Sequence, residues 1–187
     1  MAEPQFDPAG MLQIDLGRGV VQLRGASPRL VVPSEVLVGL CKEAGPDALV
    51  DFGRRWGTEL GARVAERLGI EASSSSVEAW LAHLGGEWAL AGLGSLAFER
   101  WGKVLVVCVE DSPLGPEGDP LGEAVIAGAL QRSASRDLGV VGLGRSDSTA
   151  RFAVLAPAAA DTVRRWFADG VSWGDAVMRL HAGQGAQ

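Results

Sequence analysis

Few residues in this chain are of a type that does chemistry, and their spacing limits what they could do. There are two histidines, His83 and His181, and two cysteines, Cys41 and Cys108. A zinc site needs three or four His, Cys or carboxylate ligands converging on one point. Neither histidine has a cysteine near it in sequence, so a zinc site would need ligands assembled from distant segments. Both histidines fall in amphipathic helical stretches and read as half-exposed helix residues. The cysteines sit in apolar runs and read as buried, reduced thiols. Glu110, Asp111, Glu117 and Asp119 cluster without the spacing of an EF-hand and read as a solvated loop. "GVVGLGRS" holds Gly139, Gly142 and Gly144, but has neither the G-x-G-x-x-G spacing nor the following helix that a dinucleotide needs. The phosphate loop G-x-x-x-x-G-K-S/T, the zinc motif H-E-x-x-H and the nucleophile elbow G-x-S-x-G are absent. The expectation is a protein without a catalytic constellation, a metal or a cofactor.

The aromatic residues and the glycines say more. Six tryptophans occur without a single tyrosine. Trp56, Trp80, Trp88 and Trp101 are expected in the core. Trp166, Phe167 and Trp173 crowd into the last quarter, where large aromatics either cap a core or anchor a partner. With Met178 they form the candidate partner interface. "GRRWGTELG" places glycines at 53, 57 and 61, inside what is otherwise a long helix. Each glycine costs a helix interior about 1 kcal/mol relative to alanine. A glycine row lets another backbone come close, because no Cβ holds it away. Tight helix packing would explain the row, and so would a ligand lying along the helix. On the ligand reading, Trp56, Gly57, Leu60, Trp88, Phe98 and Cys108 line an apolar cavity.

These residues must be held by the surrounding elements. "MLQIDLGRGVVQL" alternates apolar and polar residues on both sides of a Gly17–Gly19 turn, which predicts two short strands. "PSEVLVGLCKEAG" reads as a short helix closed by Gly45, and Pro46 opens the long one. Leu49, Phe52, Trp56, Leu60, Val64 and Leu68 make its apolar stripe. Glu59 and Arg63 are placed for an i,i+4 ion pair. Ser75 or Ser76 with Glu78 predicts the cap of a third helix through residue 92. "LGSLAFERWG" and "KVLVVCVEDSP" form a hairpin around Gly102. "LGEAVIAGALQRSAS" is a helix, and "DLGVVGLGRSDSTARFAVLAP" is a second hairpin turning near Ser146–Ser148. Two terminal helices follow, with Asp161 and Ser172 as caps. The order of strands and helices predicts an α+β domain, an antiparallel sheet packed against a helical bundle.

The bulk properties fit one such domain. The chain has 187 residues, of which 47% are apolar, and a net charge of -6. An acidic protein argues against nucleic acid or an anionic membrane as partner. No apolar stretch is long enough to span a bilayer. "MAEPQFDPAG" lacks a basic stretch followed by an apolar run, so no signal peptide is expected and the expected location is cytoplasmic. The abundance of Ala, Gly, Arg and Val fits a bacterial source.

Five stretches carry a resemblance: "DLGRGVVQLRGASPRLVVPSEVLVGL", "GRRWGTELGARVAERLG", "LAGLGSLAFERWGKVLVVCVEDSPLG", "LGEAVIAGALQRSAS" and "VVGLGRSDSTARFAVLA". In this order the chain resembles the vinyl-reductase-type (4-vinyl reductase) domain family over roughly residues 11–156. That family is related in fold to the Bet-type subunits of the TRAPP vesicle-tethering complex and to haem-based nitric-oxide sensor domains. Gly53 and Gly57, Asp111-Ser112-Pro113 and the helix containing Gly122 and Gly128 match its marker stretches. Many members carry C-x-x-x-G-x-x-C-x-F on the last hairpin. Here "GLGRSDSTARF" has no cysteine before Phe152, so no metal is expected, and no histidine sits where a haem sensor would need its axial ligand, so no haem is expected either. The resemblance divides the chain into a tail over 1–10, the domain over 11–156 and a helical extension over 157–187.

What the resemblance implies is a binding module. The first reading is a non-catalytic regulatory or scaffold protein, a homodimer acting through protein partners, with a small Ras-like GTPase as its narrower form. The second is a small-molecule or lipid sensor with an apolar cavity. The third, an enzyme of tetrapyrrole metabolism, has no site in the sequence to support it.

Overall fold

The computed structural model describes residues 10–24, 28–69, 77–134 and 138–184. The N-terminal tail up to residue 9, the cap at Ser75 or Ser76 and the side chain of His181 lie outside the described residues.

Strands β1 (Leu12–Asp15), β2 (Val20–Leu23) and β3 (Pro28–Arg29) form a small antiparallel sheet. Helices α1 (Ser34–Ala44), α2 (Pro46–Leu68) and α3 (Val77–Leu90) follow. The main sheet is antiparallel, in the order β4 (Ser95–Trp101), β5 (Val104–Glu110), β7 (Thr149–Leu155), β6 (Gly139–Ser146). Helix α4 (Asp119–Ala134) joins its two hairpins, and α5 (Pro157–Ala168) and α6 (Trp173–Gln184) close the described chain. The architecture is α+β, with helices against an antiparallel sheet.

Local chemistry sets the boundaries. Gly45 ends α1 at φ 94°, a left-handed value that favours glycine, and Pro46 starts α2 where its missing N–H is no loss. Ser172 caps α6 reciprocally: Asp175 N donates to Ser172 Oγ at 3.2 Å, and that hydroxyl donates to Asp175 Oδ2 at 2.7 Å. Asp161, the other expected cap, sits a turn inside α5. Pro157 opens that helix, Ala156 is the capping position without a side-chain bond, and Asp161 pairs with Arg164 at 3.1 Å.

The strands alternate, so the main sheet has two apolar faces. Val107, Val109, Val140, Ala150 and Phe152 point inward to a core shared with Leu60 and Val64 of α2, Leu84 and Trp88 of α3, and Leu121, Val125 and Ile126 of α4. Val104, Val106, Cys108, Val141 and Ala153 point outward to Ala160, Val163, Ala176 and Leu180 of α5 and α6.

The glycine row is helix packing. A Cβ at Gly53 would meet Ala124 Cβ at 2.6 Å, and one at Gly61 would meet Ala129 O at 2.5 Å. One at Gly57 would overlap Val125 O, and one at Gly128 would overlap Arg54 O. Helices α2 and α4 therefore touch backbone to backbone, and no ligand fits between them. Glu87 of α3 is fully buried beside this pair. Arg63 Nε donates to Glu87 Oε2 at 2.5 Å, and Arg67 Nη2 reaches Oε1 at 2.6 Å. Arg63 is thus engaged across to α3, in place of the pair with Glu59 that the helical spacing offered.

Strand β6 is an edge. Arg164 Nη2 donates to Val140 O at 2.6 Å, and Gly142 N donates to Glu123 Oε2 at 2.8 Å. Arg164 and Glu123 also bridge each other at 3.3 Å.

Candidate functional site

The expected cavity residues do not share one space. Leu60 and Trp88 are buried in the inner core, with Trp56 and Phe98 half-buried at its margin. Trp56 lies 5.8 Å from Phe52 between ring centroids. Gly57 is filled by α4. Cys108 belongs to the outer face, on the far side of the sheet from Trp88. Strand parity separates them, since Val107 and Val109 face inward and Cys108 between them must face out. Burial pushes the Cys108 thiol up to about 11, helped by its hydrogen bond with Glu99. Burial also raises the Cys41 thiol. Both are poor nucleophiles, because the thiolate is the reactive form.

The expected interface residues divide as well. Trp166 and Phe167 pack against the outer core, with the Arg179 guanidinium 5.6 Å above the Trp166 ring. Trp173 stacks on Trp101 of β4 at 5.2 Å but stays 51% exposed, and Met178 is 64% exposed. Two of the four are thus satisfied by their own chain. Among the described residues no three His, Cys, Asp or Glu side chains come together as a metal site.

A space does exist at one end of the inner core. Trp88 of α3, Val109 of β5, Ala150 and Phe152 of β7 and Asp119 at the start of α4 surround it, with Leu114 as its roof. It is closed down to about 10 Å³, at the limit for one water molecule. Trp88 Nε1 is spent on Leu93 O at 2.9 Å, so the ring faces the space as an apolar wall. The loop from Asp111 to the 3-10 turn at Pro116–Gly118 crosses this end of the sheet. On its other side lies a groove of about 520 Å³ between the loop and α1, lined by Val38, Gly39, Lys42, Pro113 and Glu117, and again by Leu114.

Arg145 ties the loop down. It donates from Nη2 to Asp119 Oδ1 at 2.5 Å and to Gly115 O at 3.3 Å, and from Nη1 to Ser148 O at 3.1 Å. A β-bulge explains how it reaches. The register of β6 against β7 shifts between Gly142 and Gly144, with Gly144 at φ 113°. The extra residue moves Arg145 from the outer to the inner parity, opposite Ala150. The sequence flagged the loop through Asp111-Ser112-Pro113, but nothing in it singled out Leu114, Phe152 or Arg145 as parts of one site.

No protein-family model matches the chain, and no curated protein matches it. A solved structure does. The phenol-responsive sensory domain of the transcription activator PoxR, with phenol, superposes with a TM-score of 0.59. The match covers 77% of this chain and 84% of that one at 16% identity. The likeness is one of fold. No helix among the described residues is long and apolar enough to cross a membrane.

Proposed function

We propose that this chain is a non-catalytic regulatory module that senses a small, largely apolar molecule, and that its ligand chamber is the space walled by Trp88, Val109 and Phe152. One observation carries this reading. One side chain, Leu114, lines both a minimal aromatic-walled space and a groove of about 520 Å³. The groove is within the size range of small-molecule sites, and the inner space is not. The two joined would give a pocket with an apolar inner end, Ser112 and Asp119 as polar handles there, and Lys42 and Glu117 at its solvent-facing mouth. That the PoxR domain of similar fold responds to phenol supports an aromatic alcohol as the first probe. The resemblance to the vinyl-reductase-type family supports a binding module over an enzyme.

The test is isothermal titration of the full chain with phenol and a panel of substituted phenols, beside mass spectrometry of denatured protein for a co-purified ligand. Saturable binding that is weakened by Phe152→Ala is expected. No binding across the panel together with a clean extract would sink the reading.

A second reading, action through a protein partner, is favoured by an apolar row on α1. Val36 is 57% exposed and Leu40 62%, with Val32 preceding them by one turn's spacing. The narrower form, regulation of a small Ras-like GTPase, rests on the family resemblance. Unchanged nucleotide exchange in the presence of this protein would remove it.

A further inference from the structure

Resting on the sensor reading above, we infer that residues 111–118 are a gate over the chamber, with Leu114 as its plug and Arg145 as its latch. The segment is built to move as a unit. Asp111 has φ 51° and Gly115 φ 63°, so two left-handed positions flank Leu114. For Asp111 that conformation is uncommon, and it turns the chain sharply out of β5. The backbone bonds within the segment are local: Gly115 N to Ser112 O at 3.4 Å and Gly118 N to Gly115 O at 3.2 Å. The Ser112 hydroxyl likewise accepts from Leu114 N at 3.4 Å. None of these bonds has to break for the segment to swing.

Among the described residues, the side chains of Lys42 and Arg145 tie it to its surroundings. Lys42 pairs with Glu117 at 3.0 Å, but both side chains are more than half exposed, and such pairs contribute little. Arg145 is different. Its guanidinium is 17% exposed and bonds both Gly115 in the loop and Asp119 just beyond it, while holding Ser148 across its own hairpin turn. A planar fork held by an ionised partner and two carbonyls is a strong, directional tie. Leu114 itself is 7% exposed and is the wall that groove and chamber share. Rotating the segment about Asp111 withdraws Leu114, joins the two spaces and pulls on Arg145. Filling of the chamber is thereby coupled to the tip of the β6–β7 hairpin, which is the part free to report it.

The experiment needs no ligand for its first arm. Hydrogen exchange of the full chain would be followed by mass spectrometry in Arg145→Ala and, as the milder variant, Asp119→Asn. Exchange over 111–118 should rise at least tenfold while peptides covering Gly53–Gly61 keep their protection. Unchanged exchange over 111–118, or an equal rise across α2, overturns the latch. The second arm measures phenol association by stopped-flow tryptophan fluorescence. Leu114→Ala should bind several times faster than the parent, and an unchanged rate overturns the plug. If phenol binds no form of the protein while 111–118 still responds to Arg145→Ala, the gate stands and phenol as ligand falls.

Discussion

The two faces of the main sheet are covered by different means. The inner face meets three helices, and two of those touch backbone to backbone through Gly53, Gly57, Gly61 and Gly128. The outer face meets two short helices through small side chains, chiefly alanine, valine and Cys108. A helix layer closed at backbone distance has no slack, so space for a ligand on the inner side can open only where a loop forms the wall. That is the end under Leu114. The outer layer could shift more easily, but its large side chains, Trp101, Trp166 and Phe167, are packed against its own core. Adaptability on the inner side is confined to one end, and the candidate site lies there.

The largest effect should come from Gly57→Leu. The new side chain would collide with Val125 O in the backbone of α4, which cannot step aside as a flexible side chain could. A loss of about 4 kcal/mol or more is expected, in the range reserved for overpacking and buried charge. A denaturant midpoint equal to the parent's would show that α2 and α4 are not locked. Glu87→Ala comes next. It leaves two guanidiniums without their buried carboxylate, at about 3 kcal/mol, the lower end for a broken buried pair because Arg63 and Arg67 keep some contact with water. A smaller loss than for an outer-face truncation would dissolve the contrast between the faces.

Val163→Ala tests the outer layer. It is 1% exposed against the sheet and should lose about 1 to 2 kcal/mol, less if α5 settles into the gap. A loss as large as that of Glu87→Ala would mean that the outer layer is as rigid as the inner. The smallest effect at neutral pH is that of Cys108, whose titration enters only in alkaline solution. Its folded value of about 11 lies above the ordinary thiol value of 9.0. Between these limits the unfolded chain gives up the proton first. The stability held by the neutral thiol is therefore complete below pH 9 and is lost as pH rises through 11. Cys108→Ser should flatten that part of a melting-temperature profile, and an unaltered slope would place the loss elsewhere.

Much of this was legible because periodicity is a local signal. The hairpins around Gly102 and near Asp147, the buried Leu49, Leu60 and Val64 of the α2 stripe and the reciprocal cap at Ser172 follow from spacing and residue type, whereas Phe52 of that stripe is exposed because the buried face turns toward the glycine row. Asp161 was misread because an acidic residue before an apolar run looks like a cap, whereas Pro157 had already started the helix. Cys108 was grouped with Trp88 because a strand buried on both faces shows no alternation that tells inside from outside. The site itself was hidden for a different reason. Leu114, Arg145 and Phe152 come together through a loop, a bulge and a strand partner, and a one-residue bulge that reverses the parity of Arg145 leaves no periodic trace. Glu87 carried no signal either, since its partners lie a whole helix earlier in the chain.

The bridge between Arg164 and Glu123 has a consequence for assembly. An arriving strand recognises a sheet by its unpaired backbone groups, and on β6 the carbonyl of Val140 and the amide of Gly142 are already taken by side chains. Those side chains stand where the backbone of a fifth strand would run, like a short strip of false strand. A peptide, a second copy or a misfolded neighbour that approaches β6 at Val140–Gly142 meets two pairing groups already occupied, so growth of the sheet is blunted along that stretch of the edge.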